Sequence, residues 1–421
     1  MIIIFLLFYQ WVTIDIDTIV VNNNSKSLTM QSLVIDSFNT LHAIWHERVG
    51  NLYYLFYSYK KPDSNWAVPI LLAETTNPNG VIACEPNGKV HIAFTSPIVN
   101  YNELYYLTNH YGSFQKIRVT NDNLWDASPT ISFRNNLSHI VWIKSLEAGG
   151  YKLYYFIGKL DSFNIYQIRN SELGDFGLGA SPYISVSPEG ICHISYRGGN
   201  YPDYHIHHAE NFFLGDTNFQ YEVLTTANLY DYISAIYSKE NGELFLCASG
   251  DDGWGTRKRT CYLHRPANSR IWEPYELMTD TNSADMRSFF VKNDKVHISW
   301  ERMNGNIATR MIYHSSNFTN RWINSEVLAD GRTASGGIVI DNNNFGYLLV
   351  CHQDGNNYQI LCLKSRPFSG IKEKNSKDKK MKKIIILKDR KIRDFLYNIS
   401  GQKVNYLKKG VYFLLGESSF H

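Results

Sequence analysis

The chain has 421 residues, a net charge of +3, 14% aromatic side chains and only 19% charged ones. That length allows a large core and more than one domain, and the aromatic-rich balance suits strands. No run of 18 apolar residues occurs, so no transmembrane helix is expected. The body before Ser369 holds 28 Lys or Arg against 34 Asp or Glu, so it lacks the clustered cations of a nucleic-acid footprint.

Residues 1–10 open with MIIIFLLFYQ. The run from Ile2 to Phe8 resembles the apolar part of a signal peptide, without its positive start or its small-residue cleavage site. It reads as the remainder of a truncated signal segment, or else as a buried strand. Trp11 to Val21 (WVTIDIDTIVV) is a strand that precedes the first repeat and belongs to none.

A single pattern then recurs to residue 368. It is a turn, an apolar residue, His, two small or aliphatic residues and an aromatic. It reads LHAIW from Leu41, VHIAF from Val90, SHIVW from Ser138, CHISY from Cys192 and VHISW from Val296, with degenerate copies LFLCA from Leu244 and GYLLV from Gly346. The key position falls at His42, His91, His139, His193, Phe245, His297 and Tyr347, at intervals of 48 to 54 residues. Each copy resolves into four short strands, which is the grammar of a propeller blade. The seventh copy lacks a fourth strand, and the Trp11 segment resembles the Trp322 segment that fills that place in the sixth. The expected fold is therefore all-β: a seven-bladed β-propeller over residues 11–368, closed by the N-terminal strand, which removes two exposed sheet edges at once.

These repeats resemble the sialidase-like, BNR-type propellers found in many secreted bacterial proteins. The resemblance covers about Trp11 to Arg366. It implies fold far more than function. The sialidase set itself fits poorly. Arg48, Arg197 and Arg302 would supply three arginines, but the Arg-Ile-Pro segment is absent and the Asp-box appears only as a defective SGDDGWG from Ser249.

A basic linker spans 369–381. Residues 382–421 read as a small β-sandwich-like domain with turns at Asn398 to Gly401 and at Lys408 to Gly410. Tyr397, Ser400, Gly401 and Val404, then Lys409, Gly410, Val411 and Tyr412, are similar to the landmarks of the C-terminal sorting domain of the type IX (Por) secretion pathway. That resemblance implies the secretion machinery as a partner and a secreted or cell-surface location. The closing basic strand of such domains is replaced here by GESSFH.

The candidate binding residues lie where second-to-third-strand loops and entries to first strands emerge, here called the top face. Asp126, Asp231 and Asp285 stand in related contexts just before first strands. They would ring the channel mouth, binding a cation or sugar hydroxyls, or else cap turns. Arg48, Arg197, Asp251, Asp252, Trp254 and Arg302 stand at or after the ends of second strands. Trp125, Tyr201, Tyr230 and Trp254 add aromatic faces beside these polar groups, which suits glycan or protein contact.

The recurrent histidine is read as structural, because equivalent positions in separate blades lie far apart. His205, His207 and His208 bring no evident third ligand, so neither a metal nor another cofactor is expected. The six cysteines have no metal spacing. Cys247 with Cys261, and Cys351 with Cys362, are either hairpin disulfides or small buried side chains. No fixed set of acid, base and nucleophile stands out. The leading expectation is a non-catalytic secreted propeller that binds glycan or a surface protein. The alternatives are a carbohydrate-active enzyme, hydrolase or lyase, and a purely structural surface protein.

Overall fold

The computed structural model describes residues 11–22, 28–98, 101–148, 150–168, 181–200, 203–225, 230–251, 259–278, 284–303, 310–317, 322–328, 332–354, 357–368, 383–385 and 414–416. The chain divides into two compact units, Tyr9–Phe368 and a second one made of Met1–Phe8 with Ser369–His421. Among the described residues of the second unit, Lys383–Ile385 pairs antiparallel with Leu414–Gly416. The expected signal remnant, the basic linker and the sorting landmarks from Tyr397 to Tyr412 lie outside the described residues.

The first unit is a seven-bladed β-propeller of four-stranded antiparallel sheets. Blade 1 runs Leu28–Ile35, Leu41–Val49, Leu52–Lys60 and Ile70–Thr75. Blade 2 runs Val81–Cys84, Val90–Ile98, Tyr101–Thr108 and Gln115–Arg118, and blade 3 Asp126–Arg134, Leu137–Ser145, Tyr151–Gly158 and Phe163–Gln167. Blade 4 runs Tyr183–Val186, Cys192–Asn200, Asp203–Glu210 and Gln220–Val223, and blade 5 Tyr230–Ser238, Leu244–Asp251, Arg259–Arg265 and Glu276–Leu277. Blade 6 runs Ala284–Lys292, Lys295–Met303, Arg310–Ser316 and Ile323–Leu328. Blade 7 runs Arg332–Ile340, Phe345–Asp354 and Asn357–Pro367, and its outer strand is the N-terminal Thr13–Asn22.

The N-terminal strand thus closes the ring, as the repeat count requires. Ile16 faces Leu363 and Val20 faces Ile360 across the seam. Trp11 anchors its start: the indole is 3% exposed, and its backbone N–H donates to Ser325 Oγ of blade 6 at 3.1 Å. On the inner side, blade 7 approaches blade 1 so closely that a Cβ on Gly337 would lie 2.6 Å from the Leu33 backbone nitrogen. Only glycine fits there.

The apolar alternation of each strand is spent between blades. Seven separate clusters of buried side chains occur, one at each junction of neighbouring blades. The junction of blades 7 and 1 is built like the rest, from Leu349 and Ile360 against Leu41 and Trp45. Each blade buries its faces only on its neighbours, as repeat architectures do. Trp45, Trp142 and Trp300, the aromatic ends of three repeat motifs, are 0 to 2% exposed.

The turns between first and second strands explain the Asn and Gly of the repeat. Positive φ occurs there at Asn39, Gly88, Asn135 with Asn136, Gly190, Gly242, Asn293 with Asp294, and Asn344, one turn per blade. The first strands of all seven blades together line a central cavity of about 310 Å³, walled mainly by Ile, Val, Leu and Phe.

The cysteines are all free. Register explains this for the first pair: Cys247 faces Tyr262 while Cys261 faces Ala248, so their side chains leave opposite faces of one sheet. Cys351 and Cys362 share a face but sit diagonally, opposite Ile360 and Leu349.

Candidate functional site

The recurrent histidine makes a bond inside its own blade. His42 Nδ1 lies 2.8 Å from Tyr57 Oη, His91 Nδ1 2.6 Å from Tyr106 Oη, and His139 Nδ1 2.6 Å from Tyr155 Oη. In blades 4 and 6 the partner is another imidazole: His193 Nδ1 to His208 Nε2 at 3.3 Å, and His297 Nδ1 to His314 Nε2 at 3.1 Å. The partner sits on the third strand, diagonally across the pair. Burial pulls the pKa of His91 and His139 down to about 4 and that of His314 to about 3. Their rings are therefore neutral at pH 7, bonded as pure structure. Six residues before the histidine, Asp36 and Glu85 reach its other nitrogen at 3.4 and 3.0 Å.

The top face holds the sequence candidates. Asp126, Asp231 and Asp285 do occupy one equivalent place, at the start of first strands and opposite Lys144, Gly250 and Glu301. Each is followed by an irregularity in the ladder, which breaks pairing at the rim. Asp126 does not face the channel mouth as a ligand would. Its carboxylate is fully buried and accepts from Trp142 Nε1 at 2.8 Å, from the Leu104 backbone of blade 2 at 3.3 Å, and from Thr120. Lys144 Nζ stands 3.5 Å from it and 2.5 Å from Asp122. Burial pushes the Asp126 carboxyl up to about 6, against the pull of Lys144. Asp126 ties blade 3 to blade 2, and its sealed carboxylate lies out of a ligand's reach, contrary to the expectation of a rim ligand.

Arg197 is also buried, at 3% exposure, with its guanidinium 4.3 Å from the Tyr204 ring centre. Arg302 is half-buried opposite Ala284. Arg48 is exposed; its Nε donates to the Gly50 carbonyl at 3.0 Å, and its guanidinium stands 5.7 Å from the Tyr53 ring centre. Asp251 ends its strand opposite Tyr230. Asp252 and Trp254 lie outside the described residues. Glu301, 2% exposed, is held by Arg287 Nη2 at 3.1 Å.

One patch at the rim of blades 2 and 3 combines exposure with order. Trp125 is 42% exposed. Its backbone is fixed by two hydrogen bonds to Ser145, N–H to Oγ at 2.8 Å and carbonyl from N–H at 2.9 Å. The Tyr101 ring meets it edge-on at 6.5 Å. Beside it, the Lys144 ammonium bridges Asp122 and the Tyr154 ring, 5.7 Å from the ring centre.

Two groups of potential metal donors occur among the described residues, Glu85 with His91 and His110, and His193 with His208 and Glu210. Of these, sequence reasoning weighed His208 as a metal ligand and read His91 and His193, two of the recurrent histidines, as structural. Glu210 stands two residues beyond His208 on the same strand, a spacing legible in the sequence, whereas His193 lies on the neighbouring strand and is set opposite Glu210 only by the register.

No protein-family model and no curated protein matches the sequence. Among solved structures, the chain is similar to a protein of unknown function from Dyadobacter fermentans, with a TM-score of 0.51, 10% identity, and coverage of 84% of this chain and 99% of that one. It is also similar to an α-L-arabinanase from Penicillium chrysogenum (TM-score 0.47, 9% identity, 85% and 99% covered) and to the polysaccharide lyase Uly1 (TM-score 0.47, 8% identity, 80% and 89% covered). At 10% identity the likeness to the Dyadobacter protein speaks for the fold alone.

Proposed function

We propose that this chain is a glycan-binding propeller acting through its top face. The observation that carries the reading is the exposed Trp125 on its fixed backbone, with Tyr101 against it and the Lys144–Asp122 pair alongside. The indole offers a stacking face to a sugar ring, and the exposed Asp122 carboxylate, held by the buried Lys144, offers an acceptor to its hydroxyls. Little ordering is needed on binding, because the surrounding residues are already held. Binding is favoured over hydrolysis because the rim carboxylates Asp126 and Glu301 are sealed in pairs with Lys144 and Arg287.

On the same proposal, the segment carrying Tyr397, Ser400, Gly401, Val404, Lys409, Gly410 and Tyr412 serves as a type IX sorting signal, and the propeller works at the cell surface or in the medium. A glycan array probed with the full chain tests the binding claim. Retention of at least one glycan class is expected, weakened about tenfold or more by Trp125→Ala. An array with no hits, or binding indifferent to Trp125→Ala, refutes it. Truncation at Ser369 is expected to abolish release from the producing cell, and undiminished release refutes the sorting role.

A further inference from the structure

Blade 4 departs from the repeat in two places at once. Where blades 1 to 3 pair their histidine with Tyr57, Tyr106 or Tyr155, blade 4 has His208. Directly opposite the histidine, blades 1 to 3 carry Tyr59, Thr108 and Ile157, but blade 4 carries Glu210. Blade 6 makes only the first change: His314 replaces the tyrosine, while Ser316 faces His297.

The consequence is a cluster of three donors. His193 Nδ1 lies 3.3 Å from His208 Nε2 and 3.3 Å from Glu210 Oε2, and the three atoms all fall within 4.8 Å of one another. A tetrahedral zinc ion with bonds of about 2.0–2.2 Å spaces its donors about 3.3–3.6 Å apart. Behind His208, Nδ1 meets Glu222 Oε1 at 2.8 Å, and the same oxygen accepts from Trp272 Nε1 of blade 5 at 2.7 Å. A carboxylate behind an imidazole fixes its tautomer and turns the other nitrogen's lone pair toward an ion. Arg265 Nη2 donates to Glu210 Oε2 at 2.6 Å. It fixes the carboxylate but draws on its charge, which lowers the affinity without closing the site. A cavity of about 150 Å³ adjoins the cluster, bordered also by Gln220, Tyr221 and Arg270, with room for a water molecule as a further ligand.

The blade 2 cluster is built differently. Glu85 Oε1 alone takes up both His91 Nε2, at 3.0 Å, and His110 Nδ1, and this compact arrangement satisfies itself without an ion.

We propose that His193 Nδ1, His208 Nε2 and the Glu210 carboxylate form a zinc-binding site on blade 4, with Glu222 orienting His208 and the fourth position open to the adjoining cavity. Two imidazoles and one carboxylate suit zinc over magnesium or calcium, which take oxygen sets.

The test uses the full chain, stripped with a chelator and titrated with zinc at pH 7.5 by calorimetry, with cobalt absorption reporting geometry. One zinc per chain is expected, with tetrahedral cobalt bands. His208→Tyr restores the residue that blades 1 to 3 carry, and Glu210→Gln keeps shape and one acceptor for Arg265. Each is expected to weaken binding at least about 100-fold, and thermal unfolding checks that both variants fold. If His208→Tyr fails to fold, Glu210→Gln decides. His314→Tyr, the same exchange in blade 6, and His110→Ala are expected to leave binding intact. Absence of zinc binding by the wild-type chain, wild-type affinity in a folded His208→Tyr or Glu210→Gln, or loss on His110→Ala would each overturn the proposal.

Discussion

Acidification should unfold this propeller early, and its repeated histidine is the reason. His139 is fully buried with Nδ1 against Tyr155, and it titrates near 4 in the fold against 6.5 in the free chain. Below pH 6.5 the unfolded chain takes up a proton that the native ring refuses, so stability falls as pH drops and the loss continues to about pH 4. At pH 5 one such histidine costs about 2 kcal/mol. His91 and His314 are depressed for the same reason, burial, so the three together cost about 6 kcal/mol. Asp126 works in the opposite direction. Its carboxyl is raised to about 6 from 3.8, so the native state holds its proton longer than the unfolded chain and regains about 1 kcal/mol between pH 7 and 5. A net loss of about 5 kcal/mol is a large share of a domain's usual 5–15 kcal/mol. The assay is urea unfolding at pH 7 and pH 5, followed by tryptophan fluorescence. His139→Phe, which copies Phe245 of blade 5, should reduce the loss by about 2 kcal/mol. A midpoint that stays constant or rises on acidification would show that these rings are not the buried neutral groups described above.

Three other outcomes are expected. Trp11→Ala empties the junction where the closing strand meets blades 6 and 7, and it should cost about 3–5 kcal/mol; a urea midpoint unchanged from wild type would mean that the N-terminal strand does not close the ring. Asp126→Ala removes the acceptor shared by Trp142, Thr120 and the Leu104 backbone, and it should cost about 3 kcal/mol in the same assay; a cost below about 1 kcal/mol would place the carboxylate in solvent. Cys247 and Cys261 should stay free thiols even in chain purified under oxidising conditions, since register keeps them on opposite faces; peptide mapping that finds a Cys247–Cys261 disulfide would contradict that register.

The fold was legible because a repeat states its own structure seven times. The turn residues at Asn135-Asn136 and Gly88, the alternation of LHAIW and SHIVW, and the absence of a fourth strand after Leu363 each limit the same answer. Ring closure by Trp11 onward followed from counting strands. The structural part of the histidine was legible too, although its partners were not. Tyr57, Tyr106 and Tyr155 lie about 15 residues further on, and the pairing is diagonal, so only register reveals it. The candidate site was less legible. Asp126 has the right place and context for a rim ligand, but whether a carboxylate faces solvent depends on Leu104, Thr120 and Lys144, which come from two blades. Arg197 was misjudged in the same way: its strand end reaches the rim, while its guanidinium lies over Tyr204.

Repetition also explains why the chemistry hides. A motif shared by seven blades is selected for packing against its neighbours, so its conserved-looking residues are the least informative about a ligand. Function has to sit where one blade breaks the pattern. His208 and Glu210 break it together in blade 4. Glu222 and Trp272, which support them, follow the repeat, since Trp322 donates to Glu276 in the same way one blade on. Blade 6 makes the imidazole substitution with Ser316 where blade 4 has Glu210, and among the described residues no group of three donors occurs there. Trp125 follows the same logic: the indole lies just outside the repeat, ahead of a first strand, where no packing role accounts for 42% exposure on a backbone held so firmly. In a propeller of this kind the differences between blades, aligned by register, are the place to look for sites.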